Sequence, residues 1–254
     1  MTYCVAVSLP GGLVLASDSR THAGPDQVNT FGKMHVMLAT PERFFVLLSA
    51  GNLATSQAVR TQLFHDLEFE QRPNLESVAT LSEAADYLGR VNAAQRLRLN
   101  ETCEHEEAQE SMDSTFILGA RLAGRGTGIF VVHPRGDYLH ASEQTPYLQI
   151  GELKYGKPIL DRLISLDLSL EDAARVVLLS MDATMRSNLT VGPPIELLIY
   201  DAKTPEASRH MVFDAEDAYL RELRHGWHAQ LAAALGTLPP LPSQGRRPEV
   251  SPSG

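Results

Sequence analysis

The chain has 254 residues, a formal net charge of −9 and 43% hydrophobic residues, values typical of a globular protein. This composition excludes a disordered, collagenous or coiled-coil chain, and the length is sufficient to bury a sizeable core. Because 31 acidic residues outnumber 22 lysines and arginines, the sequence predicts no general attraction to nucleic-acid backbones or to anionic membrane surfaces.

The sequence also carries no targeting signal that we recognise. No window approaches the roughly 18 consecutive apolar residues of a membrane-spanning helix. The first twelve residues lack the basic start and apolar centre of a signal peptide. The two cysteines, Cys4 and Cys103, lie far apart in the sequence and form no disulfide framework. We therefore expect a reduced, cytoplasmic protein.

Strand patterns separated by turn signals open the chain. Apolar runs on either side of Pro10-Gly11-Gly12 predict a β-hairpin, and the runs at residues 34–38 and 44–49 predict a second one. Two helices follow. Asn52 is a candidate N-cap for a helix that ends near Glu70, and Ser82 is a candidate N-cap for the next helix.

The second half of the chain repeats this order after the acidic stretch at residues 100–113, which we interpret as a solvated loop or a frayed helix end. Ser169, with Asp172 three residues later, resembles a capping box at the start of one helix. The predicted elements are strands at 114–122, 128–133, 138–141 and 147–150, helices at 155–165 and 170–187, strands at 194–201 and 209–213, and a helical segment at 214–235.

This order predicts an α+β fold in which two sheets pack on each other and helices cover each sheet, a four-layer αββα sandwich. It does not suit a doubly wound sheet, in which strands and helices alternate singly. We assign residues 1–213 to the sandwich and residues 214–236 to an additional C-terminal helix. Residues 237–254 hold five prolines, two glycines and three serines, and we predict that they form a disordered tail.

Three other features carry little functional weight. The glycine-rich segment from Gly119 to Thr127 lacks the lysine of a phosphate-binding loop and lies between two predicted strands, so a hairpin is the better interpretation. His225 and His228 have helical spacing, but no third metal ligand accompanies them at a motif spacing. Cys4 lies in an apolar run and is interpreted as a small core residue rather than a nucleophile.

The amino terminus carries a stronger signal. Thr2 follows the initiator Met1, and a side chain this small is normally left exposed when the methionine is removed. A hydroxyl is a poor nucleophile unless a base takes its proton, and a free α-amine has an ordinary pKa of about 7.7–8.0. A mature chain that begins with Thr2 would therefore hold nucleophile and base on one residue.

A carboxylate is predicted to lie near this terminus. If Pro10-Gly11-Gly12 is a three-residue loop, Leu9 opposes Leu13 and Cys4 opposes Asp18, which places Thr2, Cys4 and Asp18 on one face of the hairpin. Asp18 ends an apolar strand, where an unpaired carboxylate would be costly. Lys33 is a candidate cation for it, although the pattern is equally compatible with a surface lysine at the start of the next strand.

Together these residues resemble the proteasome β-type N-terminal nucleophile hydrolases, and in finer detail their bacterial Anbu branch. The resemblance covers about residues 2–213 in element order, with its sharpest motifs before Ala54. The segments that carry it are T-Y-C-V-A from Thr2, A-S-D-S-R-T around Asp18, F-G-K-M-H around Lys33 and Ser49-Ala50-Gly51 before a helix.

The resemblance implies a role for each matching residue. Thr2 would be the nucleophile and its freed amine the base. Lys33 would keep the pKa of that amine low, and Asp18 would orient Lys33. The backbone N–H of Gly51 would stabilise the oxyanion. The family implies no metal or organic cofactor, and it implies assembly of identical subunits into a closed or open ring.

The sequence also departs from the family pattern. The family's Ile-Gly-Ser-Gly segment appears here as Ile150-Gly151-Glu152-Leu153, so the serine is missing. A later Asp and Ser of the family align with Ser187 and Thr190, which we interpret as supporting residues, and one of two following glycines is replaced by Val191.

The sequence-based hypothesis is a threonine-type peptidase that cleaves a peptide or an unfolded protein through an acyl-enzyme on Thr2. Two alternatives stay open: an amidohydrolase or transferase that acts on a non-peptide amide, and a ring-forming scaffold with a vestigial site. The sequence does not identify the cleavage preference, the ring size or an unfoldase partner.

Overall fold

A computed structural model describes residues 1–22, 28–102 and 111–242. Two segments that the sequence analysis interpreted lie partly outside this described part: residues 103–110 of the acidic stretch and residues 243–254 of the tail. In chain order the described strands are β1 (Tyr3–Leu9), β2 (Gly12–Asp18), β3 (Arg20–His22), β4 (Val28–Thr30), β5 (Met34–Ala39), β6 (Arg43–Gly51), β7 (Ser114–Leu122), β8 (Gly126–Val132), β9 (Tyr138–His140), β10 (Tyr147–Gly151), β11 (Ile195–Asp201) and β12 (Arg209–Phe213). The described α-helices are α1 (Leu53–Glu68), α2 (Leu81–Thr102), α3 (Lys157–Leu163), α4 (Leu170–Ser187) and α5 (Ala218–Thr237).

Two five-stranded antiparallel sheets form the centre of the molecule. The first has the order β10-β1-β2-β11-β12 and the second the order β5-β6-β7-β8-β9. One apolar cluster fills the space between the sheets, a second joins the first sheet to α3 and α4, and a third joins the second sheet to α1 and α2. The predicted αββα sandwich is therefore confirmed. None of the described helices is long and apolar enough to cross a bilayer.

The register of the first hairpin differs by one residue from the prediction. Leu9 opposes Gly12, not Leu13, and Cys4 opposes Ser17, not Asp18. Because side chains alternate along a strand, Asp18 does not share a face with Thr2 and Cys4, and that prediction was wrong. The cause is a close approach of β11: a β-carbon on Gly12 would collide with the carbonyl oxygen of Tyr200.

The helix starts follow side-chain capping. The Asn52 side chain accepts from the backbone N–H of Thr55, and Ser169 accepts from that of Asp172, as predicted. The prediction of Ser82 as a cap was wrong. Thr80 accepts from the backbone N–H of Glu83 at 3.1 Å, and Glu83 accepts from that of Ala79 at 2.8 Å. Thr80, two residues before Ser82, is therefore the N-cap, in an arrangement that resembles a capping box except that Glu83 accepts from Ala79 and not from Thr80.

A short ribbon that the sequence analysis did not predict follows the first hairpin. Strand β3 pairs with β4, and residues 23–27 between them lie outside the described part. The backbone N–H of Phe31 donates to the carbonyl oxygen of Ser19 at 3.0 Å. The ribbon thus returns the chain to the end of β2, so that Lys33, just before β5, lies against Asp18.

Candidate active site

A buried ion pair lies at the end of β2. The Lys33 ammonium nitrogen is 2.7 Å from Asp18 Oδ1 and also donates to the carbonyl oxygen of Arg20 at 2.8 Å. Asp18 is fully buried and Lys33 is 7% exposed. The structure thus pairs Asp18 with Lys33. The sequence analysis had left open whether Lys33 is this partner or a surface lysine, and it is the partner.

Two backbone N–H groups, one at the start of β1 and one shortly before β11, hold this aspartate. The N–H of Tyr3, the first residue of β1, donates to Asp18 Oδ1 at 3.0 Å, and the N–H of Gly192 donates to Oδ2 at 3.4 Å. Burial raises the pKa of Asp18 above its ordinary value, and the Lys33 ammonium opposes that rise. Since three donors satisfy it, the carboxylate is fixed in position.

Thr2 lies one residue before β1, partly exposed beside this pair. Its carbonyl oxygen accepts from the N–H of Glu152 at 2.7 Å. A β-carbon on Gly151 would collide with the same oxygen, so the close approach requires glycine there. Burial and the Lys33 ammonium lower the pKa of the Met1 amine, whereas Asp18 raises it. The Lys33–Asp18 pair therefore acts electrostatically on the amino terminus of the chain.

Gly51 ends β6 directly before the α1 cap. Its φ is +109°, a value that favours glycine, and a β-carbon there would collide with the carbonyl oxygen of Asp113. The backbone N–H of Asn52 donates to that same oxygen at 2.9 Å. The chain turns sharply from strand to helix here, at a helix start where amides have no helical partner.

Two of the residues at which the chain departs from the family pattern, Glu152 and Thr190, belong to one polar network. Glu152 is 6% exposed, and its carboxylate accepts from the Asn188 side chain at 3.1 Å and from the N–H of Lys154 at 3.2 Å. The Asn188 side-chain oxygen in turn accepts from the Thr190 hydroxyl at 2.6 Å. Ser187 is exposed at the end of α4. Thr190 therefore reaches Glu152 only through Asn188.

Cys4 is placed away from solvent. It is fully buried between the sheets, and its Sγ is 3.7 Å from the carbonyl oxygen of Ser49. Burial raises the pKa of the thiol far above its ordinary value. A thiol that stays protonated at neutral pH is a poor nucleophile, which supports the interpretation of Cys4 as a core residue.

A cavity of about 120 Å³ lies beside the ion pair. Phe31 and Gly32, which precede Lys33, form one wall, and Ser49 and Leu53, which flank Gly51, form another. Arg60 of α1 lies in it, with Nη1 3.0 Å from Nε2 of His35. A larger cavity of about 630 Å³ lies at the other end of β1, where Ser8, Leu9 and Pro10 line it.

Solved structures provide a direct comparison. The chain is 38% identical to the Anbu (ancestral beta-subunit) protein from Yersinia bercovieri, over 96% of this chain and 100% of that one, with a TM-score of 0.85. The chain belongs to the Anbu family, a bacterial proteasome-like branch. An Anbu Gly-1 mutant from Hyphomicrobium sp. strain MC1 is 37% identical over 95% of this chain and 100% of that one, with a TM-score of 0.86. The helical assembly of the Anbu complex from Pseudomonas aeruginosa has a subunit 38% identical over 95% and 99%, with a TM-score of 0.85.

No family model matches the chain, and no curated protein does. The resemblance read from Thr2, Asp18, Lys33 and Gly51 is nevertheless confirmed at the level of the Anbu family. Among residues 1–22, 28–102 and 111–242, no group of three or more His, Cys, Asp or Glu side chains could hold a metal ion.

Sequence reasoning missed three residues that the structure places in or near this candidate site. Asn188 could have been noticed as a polar residue directly after a predicted helix, next to the expected supporting pair. Arg60 and His35 gave no sequence signal, since a strand histidine and a helix arginine 25 positions apart are common on any surface. Only the packing of α1 on β5 and β6 brings them to one cavity.

The strand-to-helix turn yields a stability prediction. Gly51→Ala should lower the free energy of unfolding by clearly more than Gly124→Ala. Both glycines have positive φ, but a β-carbon on Gly124 would meet open space, so that control carries only the backbone strain of about 1 kcal/mol. Urea unfolding monitored by circular dichroism measures both variants. Equal losses would show that the Asp113 carbonyl moves away at little cost.

Proposed function

We propose that this Anbu protein is a threonine-type peptidase, with Thr2 as the nucleophile after removal of Met1. One observation carries the proposal: the fully buried Asp18 holds Lys33 at 2.7 Å and is itself bonded by the N–H of Tyr3, the residue after Thr2. Burying an ion pair costs solvation of both charges. The position of the Lys33–Asp18 pair next to the amino terminus is explained if the Lys33 charge acts on the terminal amine.

The proposed reaction begins when the Thr2 hydroxyl oxygen attacks the substrate carbonyl carbon and its proton passes to the Thr2 α-amine. The Gly51 N–H stabilises the resulting oxyanion. The protonated amine then gives its proton to the leaving amine as the peptide C–N bond breaks, which leaves an ester on Thr2. Water hydrolyses the ester with the same amine as base. Lys33 keeps the pKa of the amine low enough for this role.

The replacement of the family's serine by Glu152 supports a second candidate. A buried carboxylate bonded to Asn188 gives the surroundings of Thr2 a different charge from a hydroxyl. That change favours an altered substrate class, and a non-peptide amide cleaved by the same steps is the candidate. A scaffold with a vestigial site remains the third outcome.

Assembly is part of the proposal. The relative from Pseudomonas aeruginosa is described as a helical assembly of the Anbu complex. We therefore propose that the present chain forms a homo-oligomer, as a closed or an open ring, in the cytoplasm. Sedimentation velocity on the purified full chain would contradict this proposal if it returned only monomer at micromolar concentration.

Removal of Met1 is the first measurable consequence. Active protein made in its native host should have an intact mass lower by one methionine, because a methionyl Thr2 has no free amine to serve as base. Met1 is 68% exposed, so a processing enzyme can reach it. Active material that retains Met1 would show that the terminal-amine mechanism is wrong.

Substrate panels on protein verified to lack Met1 then separate the three candidates. Hydrolysis of fluorogenic peptides supports the peptidase, and hydrolysis of small amides alone supports the second candidate. Protein that assembles, lacks Met1 and cleaves neither class would be a scaffold.

A further inference from the structure

The side chain of Tyr3 connects the amino terminus to the body of the protein. The phenol ring is fully buried in the apolar cluster that joins the first sheet to α3 and α4. Its hydroxyl lies 2.5 Å from Ser180 Oγ on α4 and accepts from the side-chain amide of Gln149 on β10 at 2.6 Å. A β-carbon on Gly156, the N-cap of α3, would collide with the same hydroxyl oxygen, so the packing around it is tight.

The two partners of this hydroxyl satisfy it and lie on elements that reach the candidate site. Burial raises the pKa of the Tyr3 phenol to about 12, so the group keeps its proton at neutral pH. Because Gln149 donates to the hydroxyl, its own proton is available for Ser180. Strand β10 ends directly before Glu152, and α4 ends directly before Asn188. A satisfied buried network of this kind makes the local packing rigid.

The backbone of Tyr3 belongs to the proposed reaction centre. The peptide group between Thr2 and Tyr3 is held on both sides, because its carbonyl oxygen accepts from the N–H of Glu152 at 2.7 Å and its N–H donates to Asp18 Oδ1 at 3.0 Å. Once Met1 is removed, no residue before Thr2 restrains it, and chain ends fray unless they are tied down. The position of the Thr2 amine and hydroxyl then depends largely on this one peptide group.

We propose that Tyr3 is a positioning residue: its hydroxyl, bonded to Ser180 and Gln149, holds the Thr2–Tyr3 peptide group against Asp18 and so keeps the terminal Thr2 in place for attack. This inference rests on the proposed function. A displacement of about 1 Å from the productive geometry can cost about 10²-fold in rate. A single buried hydroxyl next to the terminus is therefore sufficient to influence the reaction without touching the substrate.

Hydrogen exchange tests the anchoring without depending on turnover. The protein is the full chain with Met1 removed, and Tyr3→Phe keeps the ring and the backbone amide but removes the hydroxyl. At exchange times too short for global unfolding, we expect the amino-terminal peptide to exchange about ten-fold faster, the range of one or two lost hydrogen bonds, and β2 to be unchanged. Ser180→Ala, which leaves residue 3 as it is, should move the same peptide in the same direction by less.

Tyr200→Phe is the matched control for this exchange experiment. Tyr200 is 3% exposed, and within the described ranges its buried hydroxyl has no hydrogen-bond partner. Removing that hydroxyl therefore breaks no bond, and the exchange of the amino-terminal peptide should stay as in the parent chain.

The rate at which an electrophile labels Thr2 reports whether the terminus is in place for attack. Tyr3→Phe should label about ten-fold more slowly at pH 7. The acidic limb of its rate profile should also move upward, because an amine that leaves the Lys33 ammonium regains its ordinary pKa. Circular dichroism verifies that the variant is folded at the assay temperature, and a loss of stability alone would leave the position of that limb unchanged.

Unchanged exchange in Tyr3→Phe, an equal rise in β2, or the same rise in Tyr200→Phe would each overturn the inference. A labelling profile of Tyr3→Phe that matches the parent profile would overturn it as well. If the exchange results are as expected but the parent chain neither labels at Thr2 nor cleaves any peptide, the proposed function alone is contradicted and Tyr3 still anchors the terminus.

Discussion

Thr2→Ala is expected to abolish covalent labelling by electrophiles that trap amino-terminal threonines, while the fold and the assembly stay as in the parent chain. The substitution removes the hydroxyl, and Thr2 is only partly buried before β1, so little packing is lost. Alanine after Met1 is also small enough to permit methionine removal. Intact mass spectrometry measures the labelling, and sedimentation velocity measures the assembly.

Cys4→Ser is the matched control for this experiment. The thiol is fully buried and its pKa is raised, and serine keeps a donor for the Ser49 carbonyl oxygen. Labelling should therefore be unchanged in Cys4→Ser and absent in Thr2→Ala. Labelling of Thr2→Ala at the parent rate would assign the nucleophile to another residue, and loss in Cys4→Ser would identify the thiol.

Lys33→Met is expected to lower both activity and stability. It leaves the Asp18 carboxylate buried without its cation, a change that typically costs about 3–5 kcal/mol of unfolding free energy. Burial and the Lys33 ammonium lower the pKa of the Met1 amine, and Asp18 raises it. If the Thr2 amine is held in the same way, loss of the ammonium raises its pKa and the remaining Asp18 charge adds to that rise. The amine is then protonated over more of the neutral range, so peptidase activity at pH 7 should fall by about 10²-fold or more.

The pH profile distinguishes this cause from a folding defect. An amine with a raised pKa loses its proton only at higher pH, so the acidic limb of the kcat/KM profile should move upward in Lys33→Met. The double variant Asp18→Asn, Lys33→Met should regain part of the stability but not the activity. If the activity losses of the two single variants simply add in the double variant, Asp18 and Lys33 do not act as a unit.

Local signals in the sequence predicted most elements of the sandwich. The helix α4 and the strands β7 and β12 have the bounds that apolar periodicity predicted, because capping and turn residues mark their ends. Ser169 and Asn52 cap helices as expected, since a cap depends on residues within one turn. The Thr-x-x-Glu spacing of Thr80 and Glu83 was available in the sequence and was overlooked.

The register of the first hairpin could not be obtained from local signals. Pro10-Gly11-Gly12 offers two alternative loops, and both are reasonable turns. The choice depends on β11, nearly 190 residues later, whose Tyr200 carbonyl approaches Gly12 so closely that only glycine fits. A shift of one residue moves every side chain to the other face, which is why Asp18 was assigned to the wrong face although its pairing with Lys33 was anticipated.

The candidate site likewise contains residues that the sequence predicted and contacts that it did not predict. Thr2, Asp18, Lys33 and Gly51 were proposed from motifs that lie within the first 51 residues. The network of Glu152 and Asn188 joins the end of β10 to the end of α4, and the contact between Arg60 and His35 joins α1 to β5. Such contacts depend on how layers pack, and no spacing in the sequence encodes them.

The bond from the Tyr3 N–H to Asp18 has a consequence for maturation. This amide, unlike that of Thr2, is unaffected when Met1 is cleaved, and the Lys33–Asp18 pair is fully formed in the structure with Met1 still attached. On the proposed mechanism the unprocessed chain is a zymogen whose catalytic frame is already assembled. Its activation is then the hydrolysis of a single peptide bond, between Met1 and Thr2. On that mechanism the timing of activity is set by the step that removes the exposed Met1.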